Sequence, residues 1–165
     1  MKKIIVLAAI MLFPLGLFAQ DIKIAYVNTQ EIITAMPEFT AMNTELQKLQ
    51  QDFENEIKSM QEEHNNKYQA FVQQQDSLTE NIRLRRMQEI QGIQERTEQL
   101  YQVAQQTVSQ KQEELFKPIQ DKMMKAIQDV GSENNYTCIL NTGMLLYTGN
   151  NSINATPLVR TKLGI

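Results

Sequence analysis

Few side chains in this 165-residue sequence are equipped for acid–base or nucleophilic chemistry. His64 is the only histidine and Cys138 the only cysteine. An imidazole becomes catalytic beside a nucleophile or a metal, and a thiol becomes reactive beside a base or a cation. No serine or cysteine is spaced with His64 to form such a pair, and the sequence holds neither a phosphate-cradling glycine loop nor a metal-ligand spacing. His64 falls on the apolar stripe of a helix and Cys138 in a strand. Seam packing and a buried, inert thiol are therefore the weightier readings. The sequence is not that of an enzyme and calls for no cofactor.

Charge offers a second kind of chemistry. Arg83, Arg85 and Arg86 crowd together just beyond a turn. On one reading they form a solvated helix face paired locally with Glu80 and Glu89. On the other they make a cationic tip that meets acidic protein segments or anionic lipid headgroups. The local pairing weighs more. Asp76-Ser77-Leu78 looks like an acceptor for bacterial O-glycosylation, but helix capping explains it more simply.

The elements that position these residues follow from the pattern around them. Residues 1–20 read as a signal peptide: Lys2 and Lys3 precede an apolar run, and Ala19 is a small residue at the cleavage site, leaving Gln20 or Asp21 first. Removing Lys2 and Lys3 from the 16 basic residues leaves 14 against 19 acidic, a balance of −5. That argues against nucleic acid as a partner. An exported chain with one cysteine has no internal disulfide. With no tryptophan, 7% aromatic residues and abundant glutamine, it suits long helices burying a stripe.

The segment Ile24-Ala25-Tyr26-Val27 predicts a strand, and Asn28 with Glu31 resembles a capping box opening a short helix that Pro37 ends. A long helix then carries Phe39, Met42, Leu46, Leu49, Phe53, Ile57, Met60, His64, Tyr68 and Phe71 at steps of three or four. The pattern lapses near 73–79, where Ser77-Leu78-Thr79-Glu80 suggests a second capping box. The return helix repeats Met87, Ile90, Gln94, Thr97, Tyr101, Ala104, Val108, Lys111 and Leu115, the alternating spacing of a coiled coil, with Ile93 and Leu100 broadening it. This predicts an antiparallel hairpin arm over 38–117, each helix about 50–60 Å long. The stripe, about 140° wide, exceeds a two-helix seam. Tyr68, Phe71, Met87, Ile93 and Leu100 are the arm residues that could meet another polypeptide, although packing explains any one of them better.

Pro118 is expected to interrupt the helix. Beyond it the pattern predicts a further helix to Val130 and a left-handed Asn135, then strands at 136–140 and 144–148 joined as a hairpin. A last helix is capped by Thr156-Pro157. Residues 21–37 and 118–165 thus form a body with open sheet edges and little core, which implies a homo-oligomer. The expected fold class is α+β, mostly α: a long coiled-coil arm projecting from a small β-barrel body completed by oligomerisation. Ile24, Tyr26, Ile139, Leu140, Leu146 and Tyr147 are its expected oligomerisation residues.

This order of motifs resembles the Skp/OmpH family of periplasmic chaperones. The resemblance rests on Lys23-Ile24-Ala25-Tyr26-Val27-Asn28, Met36-Pro37-Glu38 and Leu78-Thr79-Glu80. In the body it rests on Pro118-Ile119, Ala126-Ile127, Asn135-Tyr136, Ile139-Leu140, Leu146-Tyr147 and Asn154-Ala155-Thr156. It implies a periplasmic, ATP-independent holdase for unfolded outer-membrane proteins, a homotrimer whose arms surround a cavity, and no cofactor. Two features depart from the family: Asn135 and Asn154 replace its usual Gly and Asp, and this chain is acidic where the well-known members are basic. A structural or adaptor coiled-coil protein of the envelope, binding a folded partner, is the alternative.

Overall fold

The computed structural model describes residues 22–165; the signal-peptide reading of 1–20 lies outside the described residues. Strand β1 (Ile24–Val27) alternates, with Ala25 and Val27 buried and Ile24 and Tyr26 turned outward. Helix α1 (Thr29–Ala35) follows, and Asn28 Oδ1 accepts from the backbone N–H of Glu31 at 3.1 Å. Half of the expected capping box forms. The Glu31 side chain instead accepts from Arg160 at 3.2 Å.

Helix α2 (Pro37–Gln74) starts on its proline, whose missing N–H costs nothing at that position. At its far end Gln75–Ser77 make a single 3₁₀ turn. Helix α3 (Glu80–Glu133) then returns, with Thr79 as its N-cap by position. The second capping box does not form: the Ser77 hydroxyl donates to the Gln74 carbonyl at 2.8 Å, and Thr79 makes no capping bond. The helices are antiparallel, since the pairs Glu38–Lys122, Glu45–Lys111, Gln61–Tyr101 and Lys67–Glu89 ascend one helix as they descend the other.

Pro118 does not interrupt α3, contrary to expectation; it lies inside one continuous helix. The lost N–H bond costs about 3 kcal/mol. Burial of Ile119, Met123, Ala126, Ile127 and Val130 in the next three turns outweighs that cost. Asn135 ends the helix at φ 53°, as expected, while the Tyr136 N–H donates to the Gly131 carbonyl at 2.9 Å.

The predicted hairpin at 136–148 is replaced by a different topology. Strand β2 (Cys138–Asn141) pairs in parallel with β1, Ile24 opposite Cys138 and Tyr26 opposite Leu140. The next residues form a 3₁₀ turn (Thr142–Met144), and the third strand is β3 (Ile153–Asn154), parallel to β1 on its other side. The sheet order is β2-β1-β3. Residues 144–148 pair with no strand. Helix α4 (Thr156–Leu163) closes the described chain with Gly164 left-handed at φ 76°. Its N-cap is Ala155, one residue before the predicted Thr156, and Asn154 Oδ1 accepts from the Thr156 N–H at 3.0 Å. The Thr156 hydroxyl oxygen accepts from the Asn28 N–H at 3.0 Å, tying the two chain ends together.

The core sits where both ends meet the base of the helical pair. Ala25, Val27, Ile32 and Met36 pack with Met42, Leu46, Ile119, Met123, Val130 and Val159. Distal to Leu46 and Ile119, the buried arm residues are Ile57, Ile93 and Thr97.

Candidate functional site

Three surfaces answer to the candidate residues. The first is the tip. Arg83 pairs with Glu80 at 3.3 Å and Arg86 with Glu89 at 3.5 Å, each one helical turn away, while Arg85 points to solvent. Lys67 crosses from α2 to donate to Glu89, which raises the Lys67 pKa and lowers that of Glu89. Two of the three arginines therefore have local acidic partners, and one cation is left facing outward.

The second surface is the arm. Here the seam is phased differently from the sequence reading. Ile93 and Leu100, rather than Gln94 and Tyr101, lie between the helices, and on α2 Lys67 replaces Tyr68. The steps 90-93-97-100-104 alternate three and four as strictly as the predicted set, so spacing alone admits both. Burying isoleucine and leucine rather than glutamine and tyrosine decides between them. Ile93 is 0% exposed, which corrects its reading as a surface residue: it packs inside the seam. Tyr68 (53% exposed) and Met87 (51%) face solvent, and Phe71 and Leu100 are half-buried. His64 is half-buried and stacks on Tyr68, ring centroids 6.3 Å apart. The sequence reading missed Val72, Ile82, Leu84 and Val103, which are exposed off the stripe. A test for apolar residues outside the best helical face would have found them.

The third surface is the outer face of the sheet. Ile24, Tyr26 and Leu140 share it, while the strand alternation turns Ile139 inward against the core. Cys138 lies on this outer face and is exposed, correcting the expectation of a buried thiol; the strand's phase sends Ile139 to the core in its place. Leu146 is 105% exposed, Tyr147 84% and Met144 82%. Ile22, 72% exposed and two residues before Ile24, adds to the exposed apolar surface and was not anticipated; Ile153, opposite the inward-facing Ala25, lies on the other face of the sheet. So much apolar surface in one place marks a contact site rather than a solvated one.

Other chemistry is sparse. Among the described residues no three His, Cys, Asp or Glu side chains gather as a metal site, and no helix is long and apolar enough to cross a membrane. The remaining ion pairs brace the scaffold. Lys111 bridges Glu45 and Glu114, with its pKa raised chiefly by Glu45, and Lys162 joins Glu133 with the same effect.

Known proteins supply a frame for these surfaces. The family of outer membrane proteins described as OmpH-like matches residues 23–163. A crystal structure of a candidate outer membrane chaperone (OmpH-like) from Caulobacter crescentus CB15 superposes with a TM-score of 0.76 at 12% identity. The match covers 85% of this chain and 82% of that one. At that identity the likeness speaks for the fold. No curated protein matches this chain.

Proposed function

The chain belongs to the OmpH-like family, and on that premise we propose that it is an ATP-independent holdase of the periplasm. It binds unfolded outer-membrane proteins and keeps them from aggregating. A cleaved signal peptide delivers it there. Residues 21–37 and 118–165 act as the oligomerisation body and 38–117 as the client-facing arm.

The observation that carries this reading is the outer sheet face. Ile24, Leu140, Leu146 and Tyr147, with the half-buried Tyr26 among them, are too apolar and too exposed to serve a monomer. Three copies that share this face close the open sheet edges into a small barrel and carry three arms around a common cavity. Tyr68, Phe71, Met87 and Leu100 then offer many weak apolar contacts, whose avidity holds a client without a nucleotide-driven step. Arg83, Arg85 and Arg86 give the tips a weak attraction for an anionic membrane surface.

A second reading draws on charge. Residues 38–117 hold nine basic and fourteen acidic side chains. An acidic rod of this kind suits an adaptor that bridges folded envelope components.

The deciding experiment is the absolute mass of the purified protein by light scattering after size exclusion, with and without one urea-unfolded outer-membrane protein. A trimer that gains one client supports the holdase. A stable monomer or dimer that ignores the client sinks it and leaves the adaptor in front.

A further inference from the structure

We propose that one lateral groove of the arm is a docking site for extended peptide segments that carry lysine or arginine among apolar side chains. The inference rests on the holdase reading and names its client chemistry.

Phe53 and Ile57 of α2, with Tyr101, Ala104 and Val108 of α3, line an open groove of about 530 Å³ midway along the arm. Their spacings of three and four set them along one edge of each helix. Ala104 offers a single methyl between the larger Tyr101 and Val108, so the groove stays unfilled at that level. Tyr101 also walls a second hollow of about 400 Å³ toward the tip, beside His64, Thr97 and Glu98, and its hydroxyl oxygen accepts from Gln61 Nε2 at 3.0 Å. The two hollows adjoin at Tyr101 and together make a track along one edge of the arm.

The polar lining identifies the occupant. Gln50, Gln105 and Gln112 border the first hollow, and each amide offers both a donor and an acceptor. Such a rim serves the unpaired N–H and C=O groups of any extended backbone, whatever its sequence. The formally charged side chains along the track are Glu54 and Glu98; no lysine or arginine lines it. Neither carboxylate has an ion-pair partner among the described residues. An acidic segment laid here would meet like charge, and a second copy of this arm would bring a net 9 − 14 = −5 over residues 38–117. A segment with a lysine or arginine beside its apolar side chains would match both the floor and the rim.

The test uses two short fluorescent peptides alternating phenylalanine and serine, one with two lysines and the other with two glutamates at the same positions. Anisotropy titrations against the full chain should show the lysine peptide binding about fivefold tighter at low salt, since each exposed pair contributes modestly. The preference should fade near 1 M salt, where the screening length is about 3 Å. Glu54→Gln with Glu98→Gln should erase it while helix content by circular dichroism stays unchanged. Ala104→Leu, which fills the floor, should weaken both peptides alike.

Equal affinity for the two peptides overturns the proposal, as does a preference that survives the double substitution. Aggregation of an unfolded β-barrel protein, followed by turbidity with the same samples, separates the two levels of the argument. Suppression without charge preference sinks the groove and leaves the holdase standing. Charge-selective binding without suppression does the reverse.

Discussion

Helix α3 passes through two environments without a break. Between Ile119 and Val130 it sends five apolar side chains into the core, where β1, α1 and α4 enclose them. Between residues 87 and 111 the same helix buries only Ile93 and Thr97, and Lys111 occupies a seam position. Helix-forming sequence is similar in both stretches; what differs is how much water is removed. At about 25 cal/mol per Å², burial makes the base a cooperative unit, while the distal arm has a two-helix seam with polar gaps. Such an arm can bend or open locally without unfolding the body beneath it. On the holdase reading proposed above, that property would let the arm fit unfolded chains of many shapes.

The sharpest way to break this comparison is to truncate one side chain in each stretch. Met123→Ala should cost about 3 kcal/mol of global stability, read as a lower urea midpoint, because a cavity in an enclosed core collapses poorly. Ile93→Ala removes an equally buried side chain, yet the thin seam can relax around the gap. Its cost should be about 2 kcal/mol and confined to faster hydrogen exchange in the arm, with the core amides unchanged. If Ile93→Ala shifts the global midpoint as far as Met123→Ala does, the arm and base are one cooperative unit and the contrast is wrong.

Pro118 marks the border between the two stretches. Pro118→Ala restores a donor for the Glu114 carbonyl and should recover part of the roughly 3 kcal/mol that an interior proline costs. A more flexible unfolded chain takes back about 1 kcal/mol. The expected net gain is about 1–2 kcal/mol, visible as slower exchange around 115–121. A loss of stability instead would mean that the proline's local geometry is needed to seat the arm on the core.

The two regions also differed in how far the sequence disclosed them. The arm's existence followed from the spacing of Leu46, Phe53, Ile57, Ile90 and Val108, because a helix imposes its period on whatever it buries. Its phase did not follow, because in a seam this polar Gln94 and Ile93 are both compatible with the spacing, and only the partner helix selects between them. In the body, β1 was plain from Ile24 to Val27, and Asn28 and Asn135 announced their local roles through short-range hydrogen bonding and a left-handed backbone. The sheet's order was not legible. Parallel pairing of Cys138 with Ile24 and of Ile153 with Ala25 joins residues more than a hundred positions apart, and no local pattern distinguishes 144–148 from 153–154 as the third strand. Pro118 misled because a local cost was weighed without the core burial that offsets it. The groove was half visible: Ala104 between Tyr101 and Val108 announces a gap, but placing Glu54 beside it requires the register of α2 against α3.

The smallest effect tests whether electrostatics adds anything at the border. Lys122 donates to Glu38, and that hydrogen bond holds the Glu38 carboxyl below its ordinary range. Because the folded value is depressed, this stabilisation is fully present above the unfolded carboxyl's pKa of about 4.3, and it is lost as pH falls through the lower folded value. Both side chains remain more than a third exposed, so the solvent-screened contribution is below about 1 kcal/mol. The other Glu38 oxygen is enclosed without a donor, which reduces it further. Glu38→Gln should therefore lower the urea midpoint slightly at pH 7, and by progressively less as the pH falls below the unfolded carboxyl's pKa, where unfolding takes up a proton. A penalty that does not change with pH would assign the effect to the Glu38 stem, which lines a hollow with Met42 and Ile119, rather than to its charge, and the border would then be held by the same apolar burial as the base.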